Sequence, residues 1–375
     1  MEGRPLMKIL ITGSKGFVGK NLVTELKNRG YKKLYLYDKE NSLEDLEKWT
    51  KDCGFVFHLA GINRPETEEE FMEGNADLTS QLTSLLEKNN NQAPVMISSS
   101  VQAEKDNPYG ESKRVGEYYI FEYGERNNVP VYVYRFSNLY GKWSKPNYNT
   151  VIATFCHNIA HGLPIQVNDP TVEITFQYID DVVNELINCL EGNGTKTGKL
   201  YDVPEKDTRT LGEVAQLIKG FKESRKTLEV PDMSDSFTKN LYSTYLSFLP
   251  EDNFSYKLKM NQDDRGSFTE FLRSPERGQV SINVSKPGIT KGQHWHHSKN
   301  EKFLVVKGNG LIRFRKVGED KVIEYPVNGE VLEVVDIPTG YTHSIVNTGE
   351  EEMVTVMWVN EPFDPDNTDT YYLEV

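Results

Sequence analysis

The fold of the first half of this chain is indicated by one segment, Lys8-Ile-Leu-Ile-Thr-Gly13-Ser-Lys-Gly16-Phe-Val-Gly19. A short apolar strand leads into a glycine-rich turn, and a helical run follows from Phe17 to Arg29, as in a dinucleotide-binding βα unit. The first glycine permits the tight turn, the second lets the backbone approach a pyrophosphate, and the third allows close helix–sheet contact. Free N–H groups at the helix N-terminus would hold the phosphates. The residues we expect to bind the dinucleotide are Gly13, Ser14, Lys15, Gly16, Phe17, Val18 and Gly19.

The rest of the chain follows two different rhythms. Up to about residue 190, apolar runs alternate with helical stretches, which indicates an α/β Rossmann-type fold with a doubly wound parallel sheet. From about Val280, short alternating strands are separated by Gly, Asn and Pro, as in an all-β antiparallel barrel. We place the change between Tyr245 and Lys257, and predict domains over residues 7–248 and 254–375. The predicted strands after the first are Leu34–Tyr37, Phe55–His58, Val95–Ile97, Val131–Tyr134, Val280–Val284, Phe303–Lys307, Leu311–Lys316, Val331–Val335 and Met353–Val359.

Composition limits the partners and the compartment. A net charge of −13 over 375 residues argues against nucleic acid or an anionic membrane surface as the main partner. No segment approaches the roughly 20 consecutive apolar residues that span a bilayer. The three cysteines, Cys53, Cys156 and Cys189, are widely spaced and odd in number, which suits a reducing compartment without a disulfide framework. We therefore expect a soluble, cytoplasmic protein.

The Gly-x-x-Gly-x-x-Gly spacing of the first loop resembles that of the extended short-chain dehydrogenase/reductase family, and the resemblance covers about residues 7–245. The other matching segments are His58-Leu-Ala-Gly61, Ser98-Ser-Ser100, Tyr109-Gly-Glu-Ser-Lys113, Arg135-Phe-Ser-Asn-Leu-Tyr-Gly141 and Tyr178-Ile-Asp-Asp-Val182. The resemblance implies a nicotinamide coenzyme whose adenine side is bound by Leu59, Ala60 and Gly61.

Two Tyr-x-x-x-Lys pairs occur in the chain, and only one of them lies in a helical stretch. Tyr35 and Lys39 belong to a strand and the loop after it, whereas Tyr109 and Lys113 share one face of a predicted helix. The Lys113 ammonium can lower the phenol pKa of Tyr109 and hold the nicotinamide ribose, so that Tyr109 donates a proton to a carbonyl. The alternative is a solvated surface pair. The resemblance favours the catalytic role for the second pair.

A serine from the run before this pair would polarise the substrate carbonyl, with Ser99 as first choice and Ser100 as second.

The coenzyme choice depends on the end of the second strand. Asp38 would bind the adenosine ribose and favour NADH, whereas Lys15 and Lys39 could bind a 2′-phosphate. Because reductases that resemble this chain mostly use NADPH, we expect NADPH, with NADH as the alternative.

The C-terminal part resembles the cupin family. The segments Gly288-x5-His294-Trp-His296-x4-Glu301-x6-Gly308 and Pro338-Thr-Gly340-x2-His343-x3-Asn347 match the spacing of its two motifs, although Leu332 replaces the glycine that usually begins the second. Side chains alternate along a strand, so His294 and His296 point to one face and His297 to the other. Three imidazoles and a carboxylate can hold Zn, Fe, Mn, Ni or Cu. The predicted ligands of one divalent ion, for which zinc is the first choice, are His294, His296, Glu301 and His343. The alternative is a barrel whose histidines are only core or hydrogen-bonded groups.

A second resemblance gives His294 another possible role. The segments Asp264-Arg-Gly-Ser-Phe268 and Gln279-Val-Ser-Ile-Asn-Val-Ser-Lys286 are similar to the start of dTDP-4-keto-6-deoxyhexose 3,5-epimerases, which are also cupins. In those enzymes the histidine at this position is the base that removes a proton beside the ketone. Here His294 can be a ligand, a base, or one of these at a time.

Together the two halves resemble the bifunctional CapF-type enzymes of bacterial capsular polysaccharide synthesis. The resemblance implies a UDP-linked 2-acetamido-2,6-dideoxy-4-hexulose, whose C3 the cupin inverts before NAD(P)H-dependent reduction at C4 gives a 6-deoxytalose-type sugar. It also implies a homodimer. A second hypothesis makes the first domain the only catalyst, a reductase or 4-epimerase, with the cupin as a metal-stabilised dimerisation or sugar-binding module. A third, a non-catalytic NAD(P)-binding redox sensor, is disfavoured because the Tyr109 and Lys113 pair is retained.

Overall fold

The computed structural model describes residues 7–366 and 368–375, which form two compact units. The first unit runs up to Lys219 and includes Ser236–Pro250, and the second comprises Gly220–Asp235 and Glu251–Val375. Residues 228–230 form an edge segment of the second unit: Val230 N donates to Arg273 O, and Arg273 N donates to Leu228 O, both at 2.8 Å. The sequence-continuous limits 7–248 and 254–375 stay a prediction.

The first unit is built on a seven-stranded sheet in the order β2-β1-β3-β4-β5-β9-β8, which is parallel except for the edge strand β8. Three further strands form a separate small sheet in the order β10-β7-β6. The strands are β1 Ile9–Thr12, β2 Leu34–Tyr37, β3 Phe55–His58, β4 Val95–Ser100, β5 Val131–Phe136, β6 Asn138–Tyr140, β7 Glu173–Tyr178, β8 Lys196–Thr197, β9 Leu200–Tyr201 and β10 Asp207–Thr210. The predicted Rossmann-type α/β fold is confirmed.

The helices cover both faces of this sheet. They are α1 Phe17–Asn28, α2 Leu43–Trp49, α3 Glu69–Phe71, α4 Leu78–Lys88, α5 Pro108–Asn127, α6 Val151–Ala160, α7 Ile179–Leu190, α8 Leu211–Thr227 and α9 Ser236–Leu246, with a π-helical segment at Met72–Asp77 and 3₁₀ turns at Val101–Glu104 and Glu251–Asn253. Strand β1 shows the double winding directly. Ile9 and Ile11 pack into the core under α1 and α7, whereas Leu10 packs into the core under α4 and α5. No helix within the described residues is both long and apolar enough to cross a membrane.

The second unit from Asn261 onward is built of strands, as predicted, with two antiparallel sheets in the orders β11-β12-β13-β20-β15-β18 and β17-β16-β19-β14-β21. The strands are β11 Asn261–Asp263, β12 Gly266–Ser274, β13 Gly278–Ser285, β14 Thr290–Trp295, β15 Glu301–Lys307, β16 Asn309–Lys316, β17 Val322–Asn328, β18 Val334–Ile337, β19 Tyr341–Asn347, β20 Met353–Val359 and β21 Tyr371–Tyr372. The strand predicted at 331–335 begins later, because Val331 lies in a turn in which its N–H donates to Asn328 Oδ1.

Candidate active sites

The glycine-rich loop between β1 and α1 has the close packing that the sequence predicts. Gly13 has φ +66°, and a Cβ placed on it would lie 2.7 Å from the backbone N of Ala60. A Cβ on Gly19 would lie 2.2 Å from Gly13 O, so a larger residue would force α1 away from the loop. No described side chain caps the N-terminus of α1, and its first turn contains no acidic residue. The loop therefore fits a pyrophosphate group at this helix end.

Asp38 connects the glycine-rich loop to the end of β2. Its carboxylate accepts a hydrogen bond from Lys15 N at 2.7 Å and another from Lys39 N at 2.9 Å. The Lys15 ammonium lies 3.0 Å from Glu40 Oε1 at the surface. Two acidic side chains, Asp38 and Glu40, and the Lys15 ammonium therefore lie near the end of β2, where the adenosine ribose of a dinucleotide would lie. The loop after β3 lies beside the end of β1, because Ala60 N donates to Thr12 Oγ1 at 3.2 Å.

Tyr109 and Lys113 both lie in the first two turns of α5, which Asn107 caps by accepting from Gly110 N at 2.8 Å. The Lys113 ammonium lies over the Tyr109 ring, 5.8 Å from its centroid, and donates to Ser98 O at 3.3 Å. Burial lowers the pKa of Lys113 to about 8. The helix thus brings the predicted pair together on one face.

The pKa of the Tyr109 phenol is raised, whereas the sequence led us to expect that Lys113 lowers it. Burial raises its pKa, and a hydrogen bond with the Ser100 hydroxyl only partly offsets this effect. The Lys113 ammonium lies over the ring, but the net shift of the Tyr109 pKa is upward. Removal of the phenol from water is therefore the dominant influence, and it keeps Tyr109 protonated.

The two serine candidates lie on opposite faces of β4. The Ser100 hydroxyl accepts from Gln102 N at 3.2 Å and influences the pKa of Tyr109, whereas the buried Ser99 hydroxyl donates to Glu117. Glu117 in turn accepts from Arg135 Nε at 2.8 Å and from Arg135 Nη2 at 2.7 Å. Alternation along the strand directs Ser99 into this buried ion pair. The Ser99 hydroxyl is thus engaged by Glu117, and the catalytic role of either serine stays a prediction.

Sequence reasoning did not identify Asn75, which supports the loop after β3. It lies in the π-helical segment, where its Oδ1 accepts from Ile62 N at 3.1 Å and its Nδ2 donates to Ser112 Oγ at 3.1 Å. A Cβ on Gly61 would lie 2.6 Å from Asn75 Oδ1 and 3.0 Å from Lys113 Nζ. Asn75 therefore fixes the loop beside the lysine. The position of Asn75 depends on the π-helical geometry of its segment, and no sequence pattern predicts a π-helix.

The second unit brings its four candidate ligands into one cluster. One ligand atom from each of His294, His296, Glu301 and His343 lies within 4.8 Å of all the others. Glu301 Oε2 is 3.1 Å from His343 Nε2 and 3.7 Å from His296 Nε2. Apart from one another, these three buried atoms have no hydrogen-bond partner among the described residues. A buried group of nitrogen and oxygen ligand atoms without other hydrogen-bond partners fits a divalent cation.

Burial and charge separate the roles within this cluster. Burial alone would raise the pKa of Glu301, but the imidazoles of His296 and His343 lower it to about 2, so the carboxylate is ionised. His294 is only half-buried and faces a cavity of about 270 Å³. Burial lowers the pKa of His294 to about 4, which keeps its imidazole neutral. His297 lies on the other face, with its ring against Trp295.

A β-bulge in β14 adds a residue to the cavity that the sequence did not predict. The register shifts between Gly292 and His294, where Gln293 has φ +64°. As a result Lys291 and His294 both point inward, opposite Ile345 and His343 respectively. Lys291 lines the cavity and donates to Asn283 Oδ1 at 2.6 Å. The other cavity residues include Phe268, Gln279, Lys299, Phe303, Met357, Val359, Glu361, Phe363 and Thr370.

Two family models match the chain in the order of its two units. Residues 9–203 match the NAD dependent epimerase/dehydratase family, and residues 261–371 match the Polysaccharide biosynthesis C-terminal domain. The first match covers more than half of the chain.

Several relatives extend over both units. A UDP-2-acetamido-2,6-beta-L-arabino-hexul-4-ose reductase of Pseudomonas aeruginosa is 44% identical over 98% of this chain and 99% of its own length. The crystal structure of the capsular polysaccharide assembling protein CapF from Staphylococcus aureus is 53% identical, covers 98% of this chain and all of its own, and has a TM-score of 0.94. The enzyme WbmF of Bordetella bronchiseptica, solved with NAD+, shares the fold alone, with 21% identity, a TM-score of 0.52, and coverage of 58% of this chain and 78% of its own. The chain belongs to the NAD dependent epimerase/dehydratase family and, with its polysaccharide-biosynthesis C-terminal domain, is a CapF-like enzyme.

Proposed function

We propose that this protein is a bifunctional enzyme of bacterial capsular polysaccharide synthesis. Its second unit inverts C3 of a UDP-2-acetamido-2,6-dideoxy-4-hexulose, and its first unit then reduces the C4 ketone to a UDP-2-acetamido-2,6-dideoxy-talose with NADPH. The name of the Pseudomonas relative, a reductase of a UDP-linked 4-keto amino sugar that matches both units, supports this substrate class. Epimerisation comes first, because the ketone makes the C3 proton acidic and reduction removes that acidity.

One observation carries the epimerase half of the proposal: three of the four metal-binding candidates line an open cavity. A structural metal site is closed around its ion, whereas a catalytic site keeps room for a substrate. Here His294, His296 and Glu301 line a space of about 270 Å³. This openness favours a catalytic cupin over a module that only stabilises or dimerises the protein.

In the cupin, we assign the ion to His296, Glu301 and His343, whose facing atoms are buried and have only one another as partners. We choose zinc as the ion. When bound, a divalent ion supplies Lewis-acid stabilisation to negative charge on the substrate oxygen. The neutral imidazole of His294 faces the cavity and takes the C3 proton, and the electron pair of the broken C3–H bond forms the enolate of the C4 ketone. A proton from solvent adds to the opposite face of C3 and completes the inversion, and His294 then releases its proton to solvent.

In the first unit, Ser100 and Tyr109 bind the C4 carbonyl oxygen, and Tyr109 donates the proton that converts it to a hydroxyl. Lys113 holds the nicotinamide ribose. The coenzyme, when bound in the glycine-rich loop, supplies the hydride. Lys15 of the glycine-rich loop and Lys39, which follows β2, are assigned to the 2′-phosphate of NADPH, because the backbone N–H of each donates to Asp38. We further propose that the protein acts as a homodimer, which sedimentation would test.

The decisive experiment silences the reductase by omitting the coenzyme. The zinc-loaded protein is incubated in D2O with a UDP-4-keto-6-deoxy-N-acetylhexosamine, and the C3 proton signal is followed by NMR. We expect loss of this signal in the parent protein and its retention in His294→Ala. No exchange in the parent, together with NADPH consumption when the coenzyme is added, would contradict the bifunctional proposal and leave the cupin as a binding or stabilising module.

A further inference from the structure

The C-terminal segment, residues 368–375, is fastened to the strand that carries the first metal-binding candidate. We name this segment the C-terminal strap. Strand β21 within it pairs antiparallel with β14. Leu373 N also donates to Gln293 O at 3.0 Å, and Gln293 is the bulge residue that turns His294 into the cavity. The strap therefore holds the bulge in place from the open edge of the sheet.

Asp369 of the strap binds the loop that joins two metal-binding candidates, His296 and Glu301. Its carboxylate accepts hydrogen bonds from three consecutive backbone N–H groups, those of residues 297–299, at 3.0, 2.9 and 2.9 Å. One side chain thus satisfies three donors in a loop without regular structure. Charge-assisted bonds of this kind are stronger than neutral ones.

The backbone carbonyl of the same residue fixes an imidazole ring. Asp369 O lies 2.5 Å from His296 Nδ1. Because a carbonyl oxygen can only accept, Nδ1 carries the proton in this hydrogen bond, and Nε2 is left with its lone pair. His296 Nε2 is the buried atom that faces Glu301 Oε2. The contact therefore selects the tautomer and ring orientation that a metal ligand requires.

Aromatic packing holds the strap on the outer surface of the same strand. The Tyr371 ring centroid lies 5.1 Å from that of Trp295 and 4.9 Å from that of His297. Inner and outer faces of β14 thus have different tasks. The inner histidines face the cavity, and the outer aromatic side chains bind the strap.

We propose that Asp369 is a positioning residue of the metal centre, which fixes the ligand loop through its carboxylate and the His296 ring through its carbonyl. The inference rests on the metal centre of the proposed function. It adds a residue that lies outside both cupin motifs and that touches the ligand from behind. Partners of this kind typically change metal affinity 10- to 100-fold when they are removed.

The test compares zinc affinities of full-length variants by competition with a chromophoric chelator. Asp369→Ala should bind zinc roughly 10- to 100-fold more weakly than the parent. Asp369→Asn, which keeps one side-chain acceptor, should fall in between. The matched control is Glu374→Ala, which removes a carboxylate of the same strap that accepts from the Tyr372 hydroxyl, and it should bind zinc like the parent.

A second measurement needs no variant and remains informative if Asp369→Ala does not fold. Because coupling between two sites is reciprocal, zinc should slow hydrogen exchange of the amides of residues 297–299 in the parent protein. Zinc affinity of Asp369→Ala within twofold of the parent, or exchange at these amides unchanged by zinc, would overturn the inference and leave the metal centre standing. No zinc binding by the parent itself would overturn both.

Discussion

His343 Nε2 and Glu301 Oε2 lie 3.1 Å apart in the second unit, and His296 Nε2 supplies the third buried atom of the same group. An ionised carboxylate and imidazole lone pairs in this arrangement stay poorly satisfied until a cation joins them. Thermal unfolding should therefore respond to zinc. We expect zinc at 100 times its dissociation constant to stabilise the parent by about 2.7 kcal/mol.

Glu301→Gln should abolish most of this stabilisation, because it removes the charge of the ligand set. Glu324→Gln is the matched control, since Glu324 pairs with Arg313 at the surface of β17. Calorimetry with and without zinc measures both. An equal zinc-dependent shift in Glu301→Gln and in the parent would contradict the assigned ligand set.

The opposite directions of the two serines on β4 predict different consequences of their removal. Ser100→Ala should lower kcat of the reduction by roughly 10²-fold, because it removes a donor to the carbonyl oxygen, and should leave unfolding nearly unchanged. Ser99→Ala should instead lower the free energy of unfolding by about 1–3 kcal/mol, because Glu117 loses a buried hydrogen bond. Kinetics and urea unfolding separate the two. The reverse pattern would restore Ser99 as the catalytic candidate.

Tyr109→Phe should silence one half of the enzyme and spare the other. We expect the rate of NADPH oxidation to fall by roughly 10²–10⁴-fold, since the proton donor is lost, while C3 deuterium exchange continues at the parent rate. Tyr118→Phe is the control on the same helix, because the Tyr118 hydroxyl binds Glu122 at the surface. Loss of exchange in Tyr109→Phe would mean that the two activities share this residue.

The buried ammonium of Lys113 predicts a pH limit for coenzyme use. Its pKa in the folded protein is lowered to about 8, so kcat/KM for the coenzyme should fall as the pH rises through about 8 and the charge is lost. In Lys113→Arg the fall should move to higher pH, because guanidinium stays charged. The same lowered pKa affects folding. Between pH 8 and 10.5 the Lys113 amine binds more protons in the unfolded chain than in the folded protein, so the contribution of this group to the free energy of unfolding rises with pH. A profile that is flat from pH 7 to 10 would contradict this role.

Coenzyme preference should depend on the charge beside Asp38. Lys39→Glu should lower kcat/KM for NADPH by roughly tenfold or more, because the 2′-phosphate would meet a like charge, and should change NADH use little. Lys20→Glu, an exposed substitution on α1, controls for net charge. Parallel loss with both coenzymes would exclude a 2′-phosphate contact at Lys39.

The sequence predicted elements whose signals are local. The glycine spacing predicted the β1–α1 loop, and the alternating pattern predicted both the first and the last residue of β20 correctly. The histidine spacings gave the four-residue cluster, because cupin ligands come from positions with fixed offsets. The choice between Ser99 and Ser100 stays a prediction. The contact of Ser99 with Glu117 could not be foreseen from the sequence, because the face of each serine depends on where β4 ends and which residue of α5 lies beneath it.

Other features depend on contacts between distant residues and leave no pattern in the chain. Lys291 enters the cavity through a bulge at Gln293, where a non-glycine residue adopts positive φ. Asp369 reaches the ligand loop from about 70 residues away. Asn75 depends on a π-helical segment. In each case the long-range partner determines the position, and spacing alone cannot supply it.

The excursion of residues 220–235 into the second unit has a consequence for dissection of this protein. A single cut after Pro250 would leave the C-terminal fragment without Leu228 and Val230, whose backbone groups bind Arg273. The exposed edge of β12 would then have unpaired donors and acceptors open to other chains. The two units thus cannot be exchanged at a single junction, and a swap of the second unit between homologues has to carry two separate pieces of polypeptide.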